Sequence, residues 1–377
     1  MKIGIVCPYD IDRGGGVQEH VIAQAAELQT RGYDVAILTP KPHKQVTPNV
    51  GKTRIIYVGS STNVKTPIKT SLEIGFSYKK DELDDILASE KFDLLHIHEP
   101  EVPMLGAQIV AKANCPVIAT FHAIHPETPM GRSIETFRIP WSKSIFSRLT
   151  ALTAVSDAAA GFVRERTGRQ VHIIPNGIDL TKYSYQPQPH APAQKTILYI
   201  GRLEKRKGVI YLLKAYAGLV GSRDDISLVL AGDGDQRDSL EEYVKAHKIP
   251  RVSFLGFISE KKKLQLLHEA ALFCSPALYG ESFGIVLLEA MASGTVTVAG
   301  DNVGYAGVLN GTGRLSLVSP KQINEFARRL DVMLDDDGVR QTWLDWAQKS
   351  VQQYDYPKVV DKYEAVYKQT VTKGKKH

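Results

Sequence analysis

The chain has 377 residues, enough for two domains at about 100–200 residues each. With 43% hydrophobic and 23% charged residues it has the balance of a folded globular protein, which excludes a mostly disordered chain. The formal charge of +6, from 47 basic against 41 acidic side chains, is spread over both halves, which excludes the concentrated field of a dedicated nucleic-acid binder. Cys7, Cys115 and Cys274 match no zinc or redox spacing and read as buried free thiols of a reducing compartment. No signal peptide and no run of about 20 apolar residues is visible, so a cytoplasmic protein with at most peripheral membrane contact is expected.

In chain order, Lys2–Cys7, Asp34–Thr39, Leu94–His98, Pro116–Phe121, Leu152–Val155 and Val171–Ile174 read as strands. Val17–Arg31, Tyr78–Glu90, Val102–Lys112 and Asp157–Thr167 carry helical spacing. Val- and Ile-rich strands without strict alternation are covered on both faces, so a parallel sheet between helices is expected. Lys182–Lys195, with Pro187, Pro189 and Pro192, has neither period and reads as a linker. The alternation then restarts, with strands Thr196–Ile200, Ser227–Ala231, Val252–Leu255, Leu272–Ser275 and Thr297–Ala299. Helices are expected near Val209–Leu219, Gln236–Ala246, Lys261–His268 and Phe283–Ala292, and the segment after Pro320 is helical to its basic tail. The expected layout is an α/β chain of two doubly wound domains, 1–181 and 196–355, joined by 182–195. A C-terminal helix in 356–377 returns to the first domain. Ligands of such sheets bind at the carboxyl ends of the strands, so the cleft where those ends face each other is the expected site.

Three stretches could carry chemistry. Gly14-Gly15-Gly16-Val17 opens a helix, where glycine lets a ligand approach backbone N–H groups; it lacks the third glycine of a dinucleotide fingerprint. Gly201-Arg202-Leu203-Glu204-Lys205-Arg206-Lys207-Gly208 gathers cations at a strand's carboxyl end, as a diphosphate requires. Tyr279-Gly280-Glu281-Ser282-Phe283-Gly284 opens a helix with Ser282 as the expected N-cap, and Glu289 lies two turns beyond Glu281. Weaker patterns read as structural: His96 and His98 as core histidines, Ser156 as a helix cap, and Asp10-Ile11-Asp12 and Asp233-Gly234-Asp235 as D-x-D only formally, the latter a turn and cap.

Together the motifs resemble the family-four retaining glycosyltransferases of GT-B fold, nearest to the phosphatidylinositol mannosyltransferases. The matching stretches are Ile3–Tyr9, Gly15–Gln18, Leu95–Pro100, Ile118–His122, Ala154–Asp157, Ile174–Gly177, Gly201-Arg202 with Lys207-Gly208, and Gly280–Val286. The resemblance implies catalytic roles for Arg202, Lys207, Glu281 and His122. Arg202 and Lys207 grip the donor diphosphate, Glu281 holds the transferred sugar, and His122 faces it beside the anomeric carbon. It implies donor binding by Gly15, Gly16, Gly201, Ser282, Phe283, Gly284, Ile285 and Glu289, with Glu289 on the ribose. Tyr9, Gln18 and Lys65 are the acceptor candidates. No metal or other cofactor is implied, and the substrates expected are GDP-mannose or a UDP-hexose.

Two departures bear on the acceptor. Glu127 stands where the inositol-lipid enzymes carry a lysine. Tyr78-Lys79-Lys80-Asp81-Glu82-Leu83-Asp84-Asp85 offers two lysines and then four acids where theirs is strongly basic, which weakens attraction to an anionic membrane. The expectation is a retaining, metal-independent transfer of a hexose to a lipid or glycolipid at the cytoplasmic membrane face. The alternatives are a soluble saccharide acceptor, a nucleotide-sugar epimerase of the same fold, and a non-catalytic sugar-nucleotide binder.

Overall fold

The computed structural model describes every residue except 13–14, 43–49, 66–70, 77–80, 101, 103–104, 125–143, 184–193 and 375–377; the side chains of 61–65, 71–76 and 373–374 are also undescribed. Gly14, Tyr78 to Lys80, Glu127, the three linker prolines and the end of the basic tail thus lie outside the described residues. The chain forms two units, Met1–Gly177 with Tyr356–His377, and Ile178–Asp355. The first boundary falls four residues before the expected 181, because Ile178 donates to the Tyr354 carbonyl (2.8 Å) and so belongs with the second unit.

In the first unit β1 (Lys2–Val6), β2 (Asp34–Lys41), β3 (Arg54–Lys65), β4 (Ser71–Phe76), β5 (Leu94–His98), β6 (Val117–Phe121), β7 (Ala151–Ala154) and β8 (His172–Ile173) form one sheet in the order 4-3-2-1-5-6-7-8. All neighbours are parallel except β3 and β4. Helices α1 (Gly16–Thr30), α2 (Glu82–Glu90), α3 (Leu105–Lys112) and α4 (Asp157–Thr167) connect them. Strands β5 and β6 are buried at every position, as expected of a sheet covered on both faces. The β3–β4 hairpin had no counterpart in the expected elements, and α2 begins at Glu82. Cys7 and Cys274 are buried, whereas Cys115 is half-buried.

In the second unit β9 (Lys195–Ile200), β10 (Ile226–Ala231), β11 (Val252–Gly256), β12 (Leu272–Ser275), β13 (Thr297–Gly300) and β14 (Leu317–Val318) form a parallel sheet in the order 11-10-9-12-13-14. Its helices are α5 (Val209–Val220), α6 (Arg237–Ala246), α7 (Glu260–Glu269), α8 (Ile285–Ala292), α9 (Val303–Val308), α10 (Ile323–Asp335) and α11 (Asp337–Val351). Strand order reverses beside β1 in the first sheet and beside β9 in the second. Those switch points are where open α/β sheets leave a crevice at the strands' carboxyl ends.

The last helix, α12 (Tyr356–Gly374), belongs to the first unit. Val359, Val360, Tyr363, Val366 and Tyr367 recur at helical spacing and share one core with Ile3, Ile5, Val21 and Leu28. Each such apolar side chain contributes about 1.5–3 kcal/mol on burial. Arg31 fixes the register by reaching Asp361 (2.6 Å), Glu364 (2.9 Å) and the Pro357 carbonyl (2.6 Å).

Candidate active site

At the switch point of the second sheet, the chain leaves β9 through Gly201 and makes a single 3₁₀ turn, Lys205–Lys207, before α5. Gly208 ends that turn at φ +68, and a Cβ there would stand 2.2 Å from the Pro276 carbonyl oxygen, so only glycine allows this approach. Leu278 donates to the Arg206 carbonyl (2.9 Å), which ties the basic turn to the loop after β12. Both constraints bring Arg206 and Lys207 onto Glu281, at 2.5 and 2.8 Å from its Oε1. Burial opposes the Arg206 charge, but Glu281 and then Glu204 outweigh it and raise its pKa. Arg202 stands apart, more than half exposed and paired with Glu204 at 2.6 Å. The structure therefore brings Arg206, as well as Lys207, onto Glu281; Arg206 sits in the same basic run as Arg202, and nothing in the sequence singles it out.

The helix after Glu281 begins at Ile285, with Gly284 rather than Ser282 as its N-cap. Gly284 takes φ +99 against the Tyr305 ring, which a Cβ would approach to 2.7 Å, and this left-handed turn delays the helix by two residues. Phe283 is buried, edge-on to Tyr354. Glu289 is also buried; its Oε1 accepts from Lys263 (2.6 Å) and from the Tyr183 hydroxyl (2.9 Å). Burial alone would lower the Lys263 amine, yet Glu289 and then Glu260 raise it. Neither Lys263 nor Tyr183 was expected, because Lys261-Lys262-Lys263 reads as a solvated helix face. Asp233-Gly234-Asp235 forms a turn, with Leu203 donating to the Asp233 carbonyl (2.9 Å), but the N-cap of α6 is Gln236.

In the first unit the loop after β1 carries Tyr9, whose hydroxyl donates to Glu99 at the end of β5. Glu99 is buried at φ +48, an unusual backbone for a side chain of that size, and burial raises its carboxyl. Gln18 reaches the Asp10 carbonyl at 3.4 Å. Gly15 and Gly16 lie at the start of α1, whose N-cap is Gly15. Lys65 ends β3, and its side chain lies outside the described residues. His122 follows β6 and is buried, 2.8 Å by Nε2 from Nδ1 of His98. Burial, then His20 and His96, hold its pKa well below the ordinary histidine value. His96 and His98 are core histidines, and Ser156 caps α4 through the Ala159 N–H (3.1 Å). Among the described residues no group of three or more His, Cys, Asp or Glu is placed to hold a metal ion.

Two family models divide the chain: Glycosyltransferase Family 4 matches residues 14–182, and Glycosyl transferases group 1 matches 184–350. The phosphatidyl-myo-inositol mannosyltransferase of Mycobacterium leprae is 32% identical over 100% of this chain and 99% of its own. That of Mycolicibacterium smegmatis is 34% identical over 97% and 93%. Among solved structures, sucrose-phosphate synthase from Thermosynechococcus elongatus superposes with a TM-score of 0.78 at 21% identity, covering 98% of both chains. Anabaena Alr3699/HepE in complex with UDP gives 0.77 at 18%, covering 98% of this chain and 100% of its own. With the architecture, the basic turn and full-length relatives in agreement, the chain belongs to glycosyltransferase family 4 and is a hexosyltransferase of GT-B fold.

Proposed function

We propose that the enzyme moves a hexose from a nucleotide diphosphate sugar to a lipid or glycolipid hydroxyl, with retained anomeric configuration and without a metal. The observation that carries the reading is the convergence of Arg206, Lys207 and Glu281 at the carboxyl end of β9. Before donor binding the carboxylate pairs with both cations. With donor bound, the cations serve the diphosphate and Glu281 accepts sugar hydroxyls. Glu289, held by Lys263 and Tyr183, presents its second oxygen to the ribose. The reading assigns the acceptor to the first unit, with His122 beside the anomeric carbon.

The step we propose is a same-face displacement. The C1–O bond to the β-phosphate breaks with its electron pair leaving on phosphate oxygen, while Arg206, Lys207 and the N–H groups opening α8 stabilise the charge. The acceptor oxygen bonds C1 from the same side, and its proton passes to the departing phosphate. Full-length relatives named as mannosyltransferases favour mannose, while the neighbours seen with UDP and UDP-glucose keep a UDP-hexose in the panel.

A lipid acceptor rests on the same relatives. No described helix is long and apolar enough to cross a membrane. The acidic start of α2, where Asp84 is exposed and pairs with Lys112, favours a neutral lipid over an anionic one. The test is transfer from tritiated GDP-mannose and UDP-glucose, in EDTA, to vesicles containing diacylglycerol or phosphatidylinositol. Label in the lipid fraction supports the reading and selects the acceptor. Label only in free sugar, or only in the epimerised donor, refutes it.

A further inference from the structure

Behind His122 runs a file of hydrogen bonds through the first unit whose direction follows from its far end; its side branches, from Gln24 to Nδ1 of His96 and between Thr120 and Tyr363, are longer, at 3.4 Å. The Ala119 carbonyl can only accept, so the Thr153 hydroxyl donates to it (3.0 Å). Thr153 then accepts from Thr120 (2.5 Å), and Thr120 accepts from Nε2–H of His96 (2.6 Å). His96 is fully buried and neutral, burial and then His20 having lowered its pKa to about 3, so its Nδ1 accepts from the Tyr367 hydroxyl (2.6 Å). Tyr367, its one proton used, accepts from the Gln24 amide nitrogen (3.0 Å). That orientation turns Oε1 of Gln24 towards His98, which donates from Nε2 (3.1 Å). His98, also buried and neutral, accepts at Nδ1 from Nε2–H of His122. At the end of the file, Asn176 is hydrogen-bonded to His122.

We infer that Gln24, His98 and Tyr367 are positioning residues that lock His122 as the neutral Nε2–H tautomer. The inference rests on the proposed place of His122 beside the reacting sugar. A glycosyl transition state carries positive charge at the anomeric carbon, and an imidazolium there would repel it. A neutral ring held through Nε2 by His98 adds no such charge and keeps its orientation. Tyr367 comes from the C-terminal helix, which gives α12 a function beyond packing.

The test is long-range proton–nitrogen NMR of the full chain with ¹⁵N-labelled histidine at pH 7.5. In the wild type, His98 and His122 should both read as Nε2–H tautomers; Nδ1–H or imidazolium at His122 overturns the inference without any variant. Tyr367→Phe keeps the ring and removes the hydroxyl that orients Gln24. Both histidines should then populate the second tautomer, and kcat with the donor found in the transfer assay should fall about tenfold or more, with KM within twofold. Unchanged tautomers in that variant overturn the positioning role. Shifted tautomers with unchanged kcat remove His122 from the chemistry while the hydrogen-bond file stands.

Discussion

The four imidazoles packed behind β5 and β6 predict an acid sensitivity confined to the first unit. His20, His96, His98 and His122 are all buried, with ring centroids as close as 4.3 Å for His96 and His98 and 5.1 Å for His98 and His122. Burial lowers each below the ordinary 6.5, to about 4 for His20 and about 3 for His96. The unfolded chain therefore binds protons first as pH falls. Stability is complete above about pH 6.5 and is lost below it, until the folded values near 4 and 3 are reached. At pH 5.5 each group still neutral in the folded state costs about 1.4 kcal/mol, and four cost about 6 kcal/mol. Against a usual total of about 5–15 kcal/mol this leaves the first unit marginal. Amide exchange of β5 and β6 peptides, corrected for intrinsic rates, should show opening free energies falling by about that amount between pH 7.5 and 5.5. His20→Leu removes one imidazole outside the file and should reduce the fall by about a quarter. A change under about 1 kcal/mol would refute the neutral cluster.

Two further outcomes follow from the second unit. Lys263→Met strands the buried Glu289 carboxylate and should cost about 3–5 kcal/mol, a fall of about 6–20 °C in the unit's Tm by calorimetry; Lys263→Met with Glu289→Leu should recover most of it. Gly208→Ala drives a Cβ into the Pro276 carbonyl at positive φ and should destabilise by about 2 kcal/mol or more. It should also weaken nucleoside diphosphate binding, because the basic turn then moves off Glu281; unchanged affinity in isothermal titration would detach the turn from the site.

Much of the architecture was legible because strands covered on both faces leave a largely apolar run, as in Leu94–His98 and Leu272–Ser275, both matched residue for residue. The β3–β4 hairpin escaped because its antiparallel outer strand, Ser71–Phe76, mixes Glu and Gly with apolar residues at the sheet edge. Ser282 was a sound N-cap by local rules, and only the Tyr305 ring, packed from another element, moved the helix start to Ile285. The pairing of Arg206 with Glu281 is likewise tertiary: Leu278 bonds Arg206 and Pro276 abuts Gly208, each about 70 positions along the chain. Lys263 and Glu289 lie on different helices, α7 and α8, and no local pattern relates them.

The most direct test of the account is isothermal titration of GDP-mannose, UDP-glucose and the bare nucleoside diphosphates, in EDTA, on wild type and Glu281→Gln. The account predicts that the wild type binds one of the two donors. Glu281→Gln should bind that donor more weakly. The same variant should bind the matching diphosphate at least as well, because Arg206 and Lys207 are freed from a competing carboxylate, an effect of about 1 kcal/mol or about fivefold. Absence of binding to either sugar donor, or equal loss of donor and diphosphate in the variant, would contradict it.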